Sequence, residues 1–411
     1  MGETVERLLR AGAAGDEEIA ELIKDVGLDA VAGVLAGEIA FRCDPPVNAR
    51  PVHVSLELAH AGESRRVLFR VVRDAPVTVV GEPGPATGGE DRGHGGDADE
   101  DGAGERDGGR PVEMSRLRLT VTDVVRRLFG PESAHRGHGD LTNAFLATAP
   151  KDMAEMAALT PLVTEATHTV MTGLSPRLPD LDALSVRYGS DKWASFHWYT
   201  PHYDRHFAPY RERSVRVLEI GIGGYDQEAG GGSLRMWKRY FRRGLVFGLD
   251  LYDKTRLDAP RMRALVGDQG DPGTLAGIVA EHGPFDIVID DGSHLNEHVH
   301  TSFHTLFPLL RDGGLYVIED LQTAYWATFG GTPGEQAAPH TSVGLVKRLV
   351  DDLHFREHRW EDPERAEEPP NTVQATVVGV HAYHNVAFIE KGTNGEESLP
   401  GWLRGFGATA E

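Results

Sequence analysis

The chain has 411 residues, with 42 lysines and arginines against 63 aspartates and glutamates, and its formal net charge is −21. That charge argues against a nucleic-acid-binding protein, which needs a basic surface, and gives no attraction to an anionic membrane. No apolar run reaches the roughly 18 residues of a membrane span, the amino-terminal residues carry no signal-peptide core, and the single cysteine excludes an intrachain disulfide, so we expect a cytoplasmic protein.

Residues 1–150 predict a separate α+β auxiliary domain. Apolar residues recur at helical spacing over residues 3–42. Two strand-like runs follow, 52–60 and 65–72, and their short connection indicates a β-hairpin. Residues 116–130 begin with the alternation of a strand and continue with the spacing of a helix. This mixture is typical of a small α+β unit.

A low-complexity segment interrupts this unit. Residues 81–110 hold 11 glycines and nine acidic residues against three arginines, so the segment cannot bury a core. We interpret it as a disordered acidic insertion on the surface. Residues 151–187 predict a helical connector that ends in a proline-rich boundary, and residues 188–400 predict the main domain.

The main domain alternates strands with helices, which predicts a doubly wound, mostly parallel sheet. Its last part, residues 372–392, contains two adjacent strands joined by a tight turn. A closing antiparallel hairpin is unlike a dinucleotide-binding fold built only of βαβ units. The start of the domain, residues 188–212, is dense in aromatic residues, and either the wall of a ligand site or a packing helix explains it equally well.

Acidic residues follow two of the predicted buried strands. Residues 285–294 read FDIVIDDGSH and residues 315–320 read LYVIED. If the two strands are neighbours, Asp291, Glu319 and Asp320 lie close together and suit Mg²⁺ or a similar cation such as Mn²⁺, since both accept oxygen ligands. His294 would then be a candidate base, because an ordinary imidazole titrates near about pH 6.5. Taken singly, each acid could instead only cap a helix or face solvent.

A glycine-rich loop, GIGGYD, follows the first strand of the main domain. It lacks the GxGxxG pattern of dinucleotide-binding proteins, because Asp226 occupies the last position. Acids stand at successive strand ends: Glu219 before the loop, Asp250 where a ribose would bind, and Asp268 with Gln269 beside it near an adenine. An acidic loop is a poor phosphate site but suits a cationic cofactor, which points to S-adenosylmethionine.

These motifs resemble a known family. GSDKW, VLEIGIGGY, GLDLYDK, DIVIDDGSH and YVIEDLQTAYW are similar to segments of the macrolide sugar O-methyltransferases, which are class I S-adenosylmethionine-dependent methyltransferases. The resemblance covers about residues 185–392 and implies a seven-stranded, mostly parallel sheet with a carboxyl-terminal antiparallel hairpin.

The resemblance also implies a chemistry and a set of site residues. It implies a Mg²⁺ ion held by Asp291, Glu319 and Asp320, and His294 as the base that deprotonates a sugar hydroxyl of a glycosylated macrolide. It implies a homotetramer without nucleic-acid or membrane partners. The positions that match cofactor-binding residues of the family are Ser190, Lys192, Glu219, Gly221, Gly223, Tyr225, Asp250, Asp268, Gln269 and Asp290.

Three alternatives compete with this interpretation. One is methylation of another vicinal diol, in a different glycoside or a catechol. The second is a NAD-dependent oxidoreductase, against which the glycine loop and the terminal hairpin both argue. The third is a binding protein that has kept the fold and lost the activity, which the intact set of acids and histidine disfavours.

Overall fold

The structure is a computed structural model that describes residues 2–85, 113–134, 142–145, 153–193, 196–224, 228–359 and 368–395. The chain divides into two compact units, Met1–Leu178 and Pro179–Glu411. None of the described helices has both the length and the apolar character needed to cross a membrane.

The first unit contains one five-stranded mixed sheet, with the strand order β3-β2-β1-β4-β5. Its strands are β1 (Val52–His60), β2 (Glu63–Val71), β3 (Thr78–Pro85), β4 (Glu113–Thr120) and β5 (Thr142–Phe145). Its helices are α1 (Glu3–Ala11), α2 (Asp16–Val26), α3 (Leu28–Arg42), α4 (Val121–Phe129) and α5 (Met153–Leu174). The predicted hairpin is confirmed, since β1 and β2 pair antiparallel. The predicted α+β character of this unit is confirmed as well.

The acidic insertion begins later than we predicted. Residues 81–85 continue β3, which pairs antiparallel with β2 as far as Pro85. Backbone pairing at the edge of a sheet needs no apolar side chains and tolerates proline, so composition alone misplaced this boundary. The rest of the predicted insertion, residues 86–110, lies outside the described residues.

The second unit contains a seven-stranded sheet with the order β11-β12-β10-β9-β6-β7-β8. Its strands are β6 (Arg216–Ile220), β7 (Leu245–Asp250), β8 (Met262–Val266), β9 (Ile287–Asp290), β10 (Leu315–Ile318), β11 (Val377–Tyr383) and β12 (Val386–Lys391). Its helices are α6 (Leu181–Tyr188), α7 (Thr200–Phe207), α8 (Gly232–Tyr240), α9 (Pro272–His282), α10 (Asn296–Leu306), α11 (Ser342–Leu353), α12 (Phe355–Arg359) and α13 (Thr372–Thr376).

The pairing of these strands confirms the predicted fold. Strands β6 to β10 are parallel to one another, whereas β12 is antiparallel both to β10 and to β11. Strands β9 and β10 are buried along their whole length, as expected for parallel strands covered on both faces. The result is a doubly wound sheet closed by a carboxyl-terminal hairpin.

The direction of winding reverses at β6, which lies between β7 and β9. In such sheets, ligands bind beyond the carboxyl ends of the strands at this point. Backbone hydrogen bonds continue past the strand ends, from Asp291 N to Ile220 O at 3.0 Å and from Glu319 N to Asp290 O at 3.0 Å. The residues that follow β6, β9 and β10 therefore emerge together at one edge.

Aromatic side chains fill the core beneath this edge. The ring of Tyr203 on α7 lies 4.9 Å from that of Trp237 on α8 and 5.3 Å from that of Phe388 on β12. Phe207, one helical turn after Tyr203, packs 5.4 Å from Trp237. All four residues are buried, so packing accounts for part of the aromatic segment 188–212.

Gly221, which follows β6, lies where the loop after β6 closely approaches the loop after β9. Gly221 has φ +90°, and a Cβ atom there would lie 2.0 Å from the carbonyl oxygen of Asp291. We expect Gly221→Ala to destabilise the fold by at least about 3 kcal/mol, because it adds backbone overlap to the cost of a left-handed residue. The measurement is the midpoint of urea unfolding.

Gly223 is the matched control for this substitution. It also has a positive φ, +72°, but a Cβ atom there would have nothing within 4 Å. Gly223→Ala should therefore cost only the conformational term, about 1–2 kcal/mol. If Gly221→Ala and Gly223→Ala lose equal free energy of unfolding, the close approach to Asp291 does not explain why residue 221 is a glycine.

Candidate active site

A cavity of about 730 Å³ opens at the carboxyl edge of the seven-stranded sheet. Residues 221–224 of the glycine loop form one side of it, Asp250 and Asp268 form the next, and Asp291 and His294 form the far end. Ser190 closes it from the segment after α6. The cavity therefore runs across the ends of β7, β6 and β9, where the acidic residues of the sequence were predicted to meet.

The glycine loop is held in place by polar contacts from below. The Oδ2 atom of Asp250 accepts a hydrogen bond from Ile222 N at 3.1 Å. The buried ammonium group of Lys254 donates to the carbonyl oxygens of Gly224 and Glu228, both at 2.7 Å. These bonds fix the loop conformation beside the cavity, where three of the four residues 221–224 are glycines.

Gln269 and Asp290 brace the loop that carries Asp291. The Gln269 amide donates to Asp290 Oδ1 at 2.8 Å and accepts from Ser293 N at 2.7 Å. Tyr316 also donates to Asp290, at 3.1 Å. Burial raises the pKa of Asp290 to about 6, against the opposing effect of these hydrogen bonds. Gln269 lines the cavity, but its amide group is already committed to positioning its neighbours.

Glu219 lies beneath the cavity and is fully buried. Its carboxylate accepts hydrogen bonds from Ser233 Oγ at 2.8 Å and from Trp237 Nε1 at 3.2 Å, so it ties the end of β6 to α8. Burial raises the pKa of Glu219 to about 7, although the nearby Lys192 ammonium opposes that rise.

Lys192 is the centre of the acidic cluster. Its side chain is 0% exposed, and its Nζ lies 2.7 Å from Asp291 Oδ2, 2.7 Å from Glu319 Oε1 and 3.5 Å from Glu219 Oε1. Burial alone would lower the pKa of Lys192, but the three carboxylates outweigh it and raise that pKa well above its usual value. The ammonium group is therefore charged and links the ends of β6, β9 and β10.

One ammonium cannot neutralise three carboxylates. Burial raises the pKa of Asp291, and burial together with the charge of Asp291 raises the pKa of Glu319 well above its usual range. Tyr203 donates a further hydrogen bond to Glu319 Oε1. The carboxyl groups that share the Lys192 ammonium thus hold their protons more tightly than ordinary carboxyls do, and a divalent cation at the surface of the cluster would favour their ionised forms.

Asp320 and His294 face each other at the cavity end of this cluster. His294 Nε2 lies 3.5 Å from Asp320 Oδ2, while Asp320 Oδ1 accepts a hydrogen bond from Tyr199 at 2.9 Å. His197 Nε2 is 3.4 Å from the same oxygen. Both His294 and Asp320 have positive φ angles, +55° and +53°. A left-handed backbone at non-glycine residues is typical of functional sites.

Donor atoms of Asp291, His294 and Asp320 lie within 4.8 Å of one another. This geometry fits a small cation held by carboxylate oxygens beside an imidazole. Glu319 is more deeply placed, with its side chain 1% exposed and its Oε1 bound to Lys192. Of the three predicted metal ligands, Asp291 and Asp320 therefore converge directly, and Glu319 lies behind them.

The predicted cofactor-binding residues fall into two groups. Among the described residues, six line the cavity: Ser190, Gly221, Gly223, Asp250, Asp268 and Gln269. Three others, Lys192, Glu219 and Asp290, are buried behind it and support the residues in front. Tyr225 lies outside the described residues. A contact between any of them and a cofactor stays a prediction.

The sequence analysis did not single out Tyr199, Tyr203 and His197. All three contact the acids after β10, and all three come from the aromatic segment 188–212. A signal was present, because Tyr199, Tyr203 and Phe207 recur at intervals of four residues and so share one face of a helix. That pattern predicts which side chains share a face of the helix, but it does not predict that this face contacts Glu319 and Asp320.

Proteins of known activity are similar to this chain over nearly its whole length. The model of the MycE methyltransferase N-terminal family matches residues 5–89. Demethylmacrocin O-methyltransferase of Streptomyces fradiae is 44% identical over 400 residues, which are 97% of this chain and 94% of that one. Mycinamicin VI 2''-O-methyltransferase of Micromonospora griseorubida is 42% identical over 403 residues, again 97% and 94%.

A solved structure agrees with these relatives. MycE methyltransferase from the mycinamycin biosynthetic pathway, in complex with Mg, SAH and mycinamycin VI, superposes with a TM-score of 0.84. It is 40% identical and covers 98% of this chain and 97% of its own. The fold and the site therefore define an S-adenosylmethionine-dependent O-methyltransferase. The chain belongs to the family of macrolide sugar O-methyltransferases, and the NAD-dependent alternative is not favoured.

The central lysine generates a prediction about stability. We expect Lys192→Met to lower the free energy of unfolding by about 3 kcal/mol or more near about pH 8, because it leaves buried carboxylates unpaired. Burial raises the pKa of these carboxyls in the folded protein, to about 7 for Glu219. The free energy of unfolding therefore falls as the pH rises through this value, because ionised carboxylates are less stable in the folded state than in the unfolded state. The loss should therefore shrink near about pH 6 when unfolding is measured in denaturant without metal.

Lys391→Met is the matched control. Lys391 is also buried, and its ammonium group donates hydrogen bonds to the carbonyl oxygens of Pro308 and Leu310. Its loss should not become smaller at lower pH, since carbonyls do not titrate in this range. An equal pH dependence in the two methionine variants would contradict the electrostatic role of Lys192.

Proposed function

We propose that the protein transfers the methyl group of S-adenosylmethionine to a hydroxyl of a deoxysugar on a macrolide, with Mg²⁺ at the acidic cluster. The observation that carries the proposal is the convergence of Asp320 with Asp291 and His294, two residues that line the cavity. A mycinamycin pathway relative with Mg, SAH and mycinamycin VI in its structure supports the choice of substrate class.

In this proposal each part of the methyl donor meets a different set of cavity residues. Asp250, oriented by backbone N–H groups of Ile222 and Tyr252, receives the ribose hydroxyls. Asp268 takes the adenine side, and the bare backbone around Gly221 lets the donor approach closely. Negative charge at the far end of the cavity favours the sulfonium cation and brings its methyl group toward His294.

The oxygen donors of the cluster support a metal position beside the cavity. Asp291 lines the cavity, Asp320 has a donor atom within 4.8 Å of those of Asp291 and His294, and in this proposal Glu319 contributes its second oxygen, since Oε1 already binds Lys192. Mg²⁺ supplies a positive charge that lowers the pKa of a sugar hydroxyl. Carboxylates are the ligands that Mg²⁺ prefers, so His294 stays available for proton transfer.

His294 acts as the general base. The sugar hydroxyl gives its proton to His294, and the hydroxyl oxygen forms a bond to the methyl carbon as the carbon–sulfur bond breaks. S-adenosylhomocysteine leaves as the neutral thioether, and the imidazole later releases the proton to solvent. Asp320, 3.5 Å from Nε2, holds the ring in position and stabilises its protonated form.

The homotetramer and the cytoplasmic location stay proposals that rest on family resemblance and on composition.

The macrolide is proposed because relatives that are 44% and 42% identical over nearly the whole chain are named for macrolide substrates. A glycoside with a flat aromatic aglycone is the acceptor that tests this choice.

The experiment measures transfer of a labelled methyl group from S-adenosylmethionine to three acceptors, with Mg²⁺ or with a chelator. The acceptors are a macrolide whose deoxysugar has vicinal hydroxyls, the same macrolide with one of these hydroxyls blocked, and an aromatic glycoside. We expect transfer only to the first acceptor and only with metal. Methyl transfer that persists in excess chelator would contradict the requirement for Mg²⁺. Preference for the aromatic glycoside would contradict the macrolide as the acceptor.

Replacement of the proposed base is the next prediction. His294→Gln should reduce kcat by roughly 100- to 10,000-fold, the usual contribution of a general base, and leave binding of S-adenosylmethionine nearly unchanged. Single-turnover methyl transfer and calorimetric titration of the donor measure the two quantities separately.

His298→Gln is the comparison for this variant. His298 lines the same cavity on the side of Gly270, and its Nδ1 lies 2.9 Å from Ser293 Oγ. Its loss should weaken donor binding more than it slows the chemical step. A His294→Gln enzyme with near-normal kcat would exclude His294 as the base.

A further inference from the structure

We infer that the protein has a second cation site, for a transition metal of the Zn²⁺ class, formed by His206, His381 and Glu390. One donor atom of each residue lies within 4.8 Å of the other two. The three residues come from α7, β11 and β12, and they share no residue with the acidic cluster of the active site. This inference does not depend on the proposed function.

The terminal hairpin places two of the ligands on one face. His381 of β11 pairs with Phe388 of β12, and Glu390 lies two residues further along β12, so both side chains point to the same side of the sheet. His381 Nε2 is 3.0 Å from Glu390 Oε1. The side chains are 41% and 43% exposed, so a cation can reach them from solvent.

The third ligand comes from α7 and is held rigidly. The His206 ring stacks on the buried Phe388 ring at 4.3 Å with an interplanar angle of 19°. Tyr383 OH lies 3.0 Å from His206 Nε2 and fixes the orientation of the ring. The ring of His206 is half-buried and lies 4.7 Å from the ring of His381, so the two imidazoles are already close together.

The donor set selects the class of cation. Two imidazoles and one carboxylate suit Zn²⁺ and its neighbours in the first transition row, and they leave a fourth position for water. Mg²⁺ prefers oxygen ligands and has little affinity for two imidazoles. The same protein thus offers an oxygen-rich site at the sheet edge and a nitrogen-rich site on the hairpin.

A metal on the hairpin would act on the active site through the backbone. It would link α7 to β11 and β12, and α7 begins directly after Tyr199. The carbonyl oxygen of Asn385, in the hairpin turn, accepts hydrogen bonds from Tyr199 OH at 3.2 Å and from Leu321 N at 3.1 Å. Both donors adjoin Asp320, so the metal would stiffen the support of that carboxylate.

Cobalt titration of the full-length chain tests this site. Co²⁺ replaces Zn²⁺ in such sites, and a four-coordinate Co²⁺ ion absorbs visible light much more strongly than a six-coordinate one. The titration is run with excess Mg²⁺, and an Asp320→Asn variant is included to remove binding at the acidic cluster. We expect one equivalent of strongly absorbing Co²⁺ in both proteins, and its displacement by Zn²⁺.

Variants of the ligands complete the test. His381→Gln, His206→Gln and Glu390→Gln should each abolish the strong band and weaken Zn²⁺ binding by at least about tenfold. His384→Gln, an exposed histidine on the same hairpin, should change neither. Absence of a strong band in the native chain, or a band that persists in His381→Gln and Glu390→Gln, would overturn the inference.

Discussion

The active site depends on one buried ammonium group. Lys192 reaches the ends of β6, β9 and β10 at once through Glu219, Asp291 and Glu319. Without it, like charges would meet in a region from which water is excluded, and the acids could not stay close together. With it, three carboxyl groups share one ammonium group, and the oxygens of Asp291 that line the cavity can bind a divalent cation. The lysine therefore makes the concentration of carboxylates structurally possible and still leaves a reason to bind a divalent cation.

Backbone geometry then determines which groups reach the cavity. The contact between Gly221 and the Asp291 carbonyl brings the loops after β6 and β9 together, and positive φ angles turn His294 and Asp320 toward each other. The cavity residues are supported from behind by Gln269 and Tyr199, which are bound to other polar groups. A metal at His206, His381 and Glu390 would stiffen this support from the hairpin side.

The sequence predicts which segments form the sheet, but it does not predict which polar residues line the cavity and which are buried behind it. Apolar runs and the acids after them identified β6 to β10, and the hairpin was visible from its alternation. However, Lys192 and Glu219 were predicted among the cofactor-binding residues without any sign that they are buried behind the cavity. Periodicity gives the face of an element, whereas the layer in which a polar residue lies depends on tertiary contacts. The roles of Tyr199 and Tyr203 required those contacts, because an aromatic stripe has the same pattern whether it packs or binds acids.

The most direct measurement is calorimetric titration of a macrolide with a vicinal-diol deoxysugar into protein saturated with S-adenosylhomocysteine, with Mg²⁺ and then with a chelator. No methyl transfer occurs in this mixture, so it isolates binding at Asp291, Glu319 and Asp320. We expect heat of binding at one site per chain with Mg²⁺ and none with the chelator. Equal affinity under the two conditions would contradict a metal that holds the sugar hydroxyls.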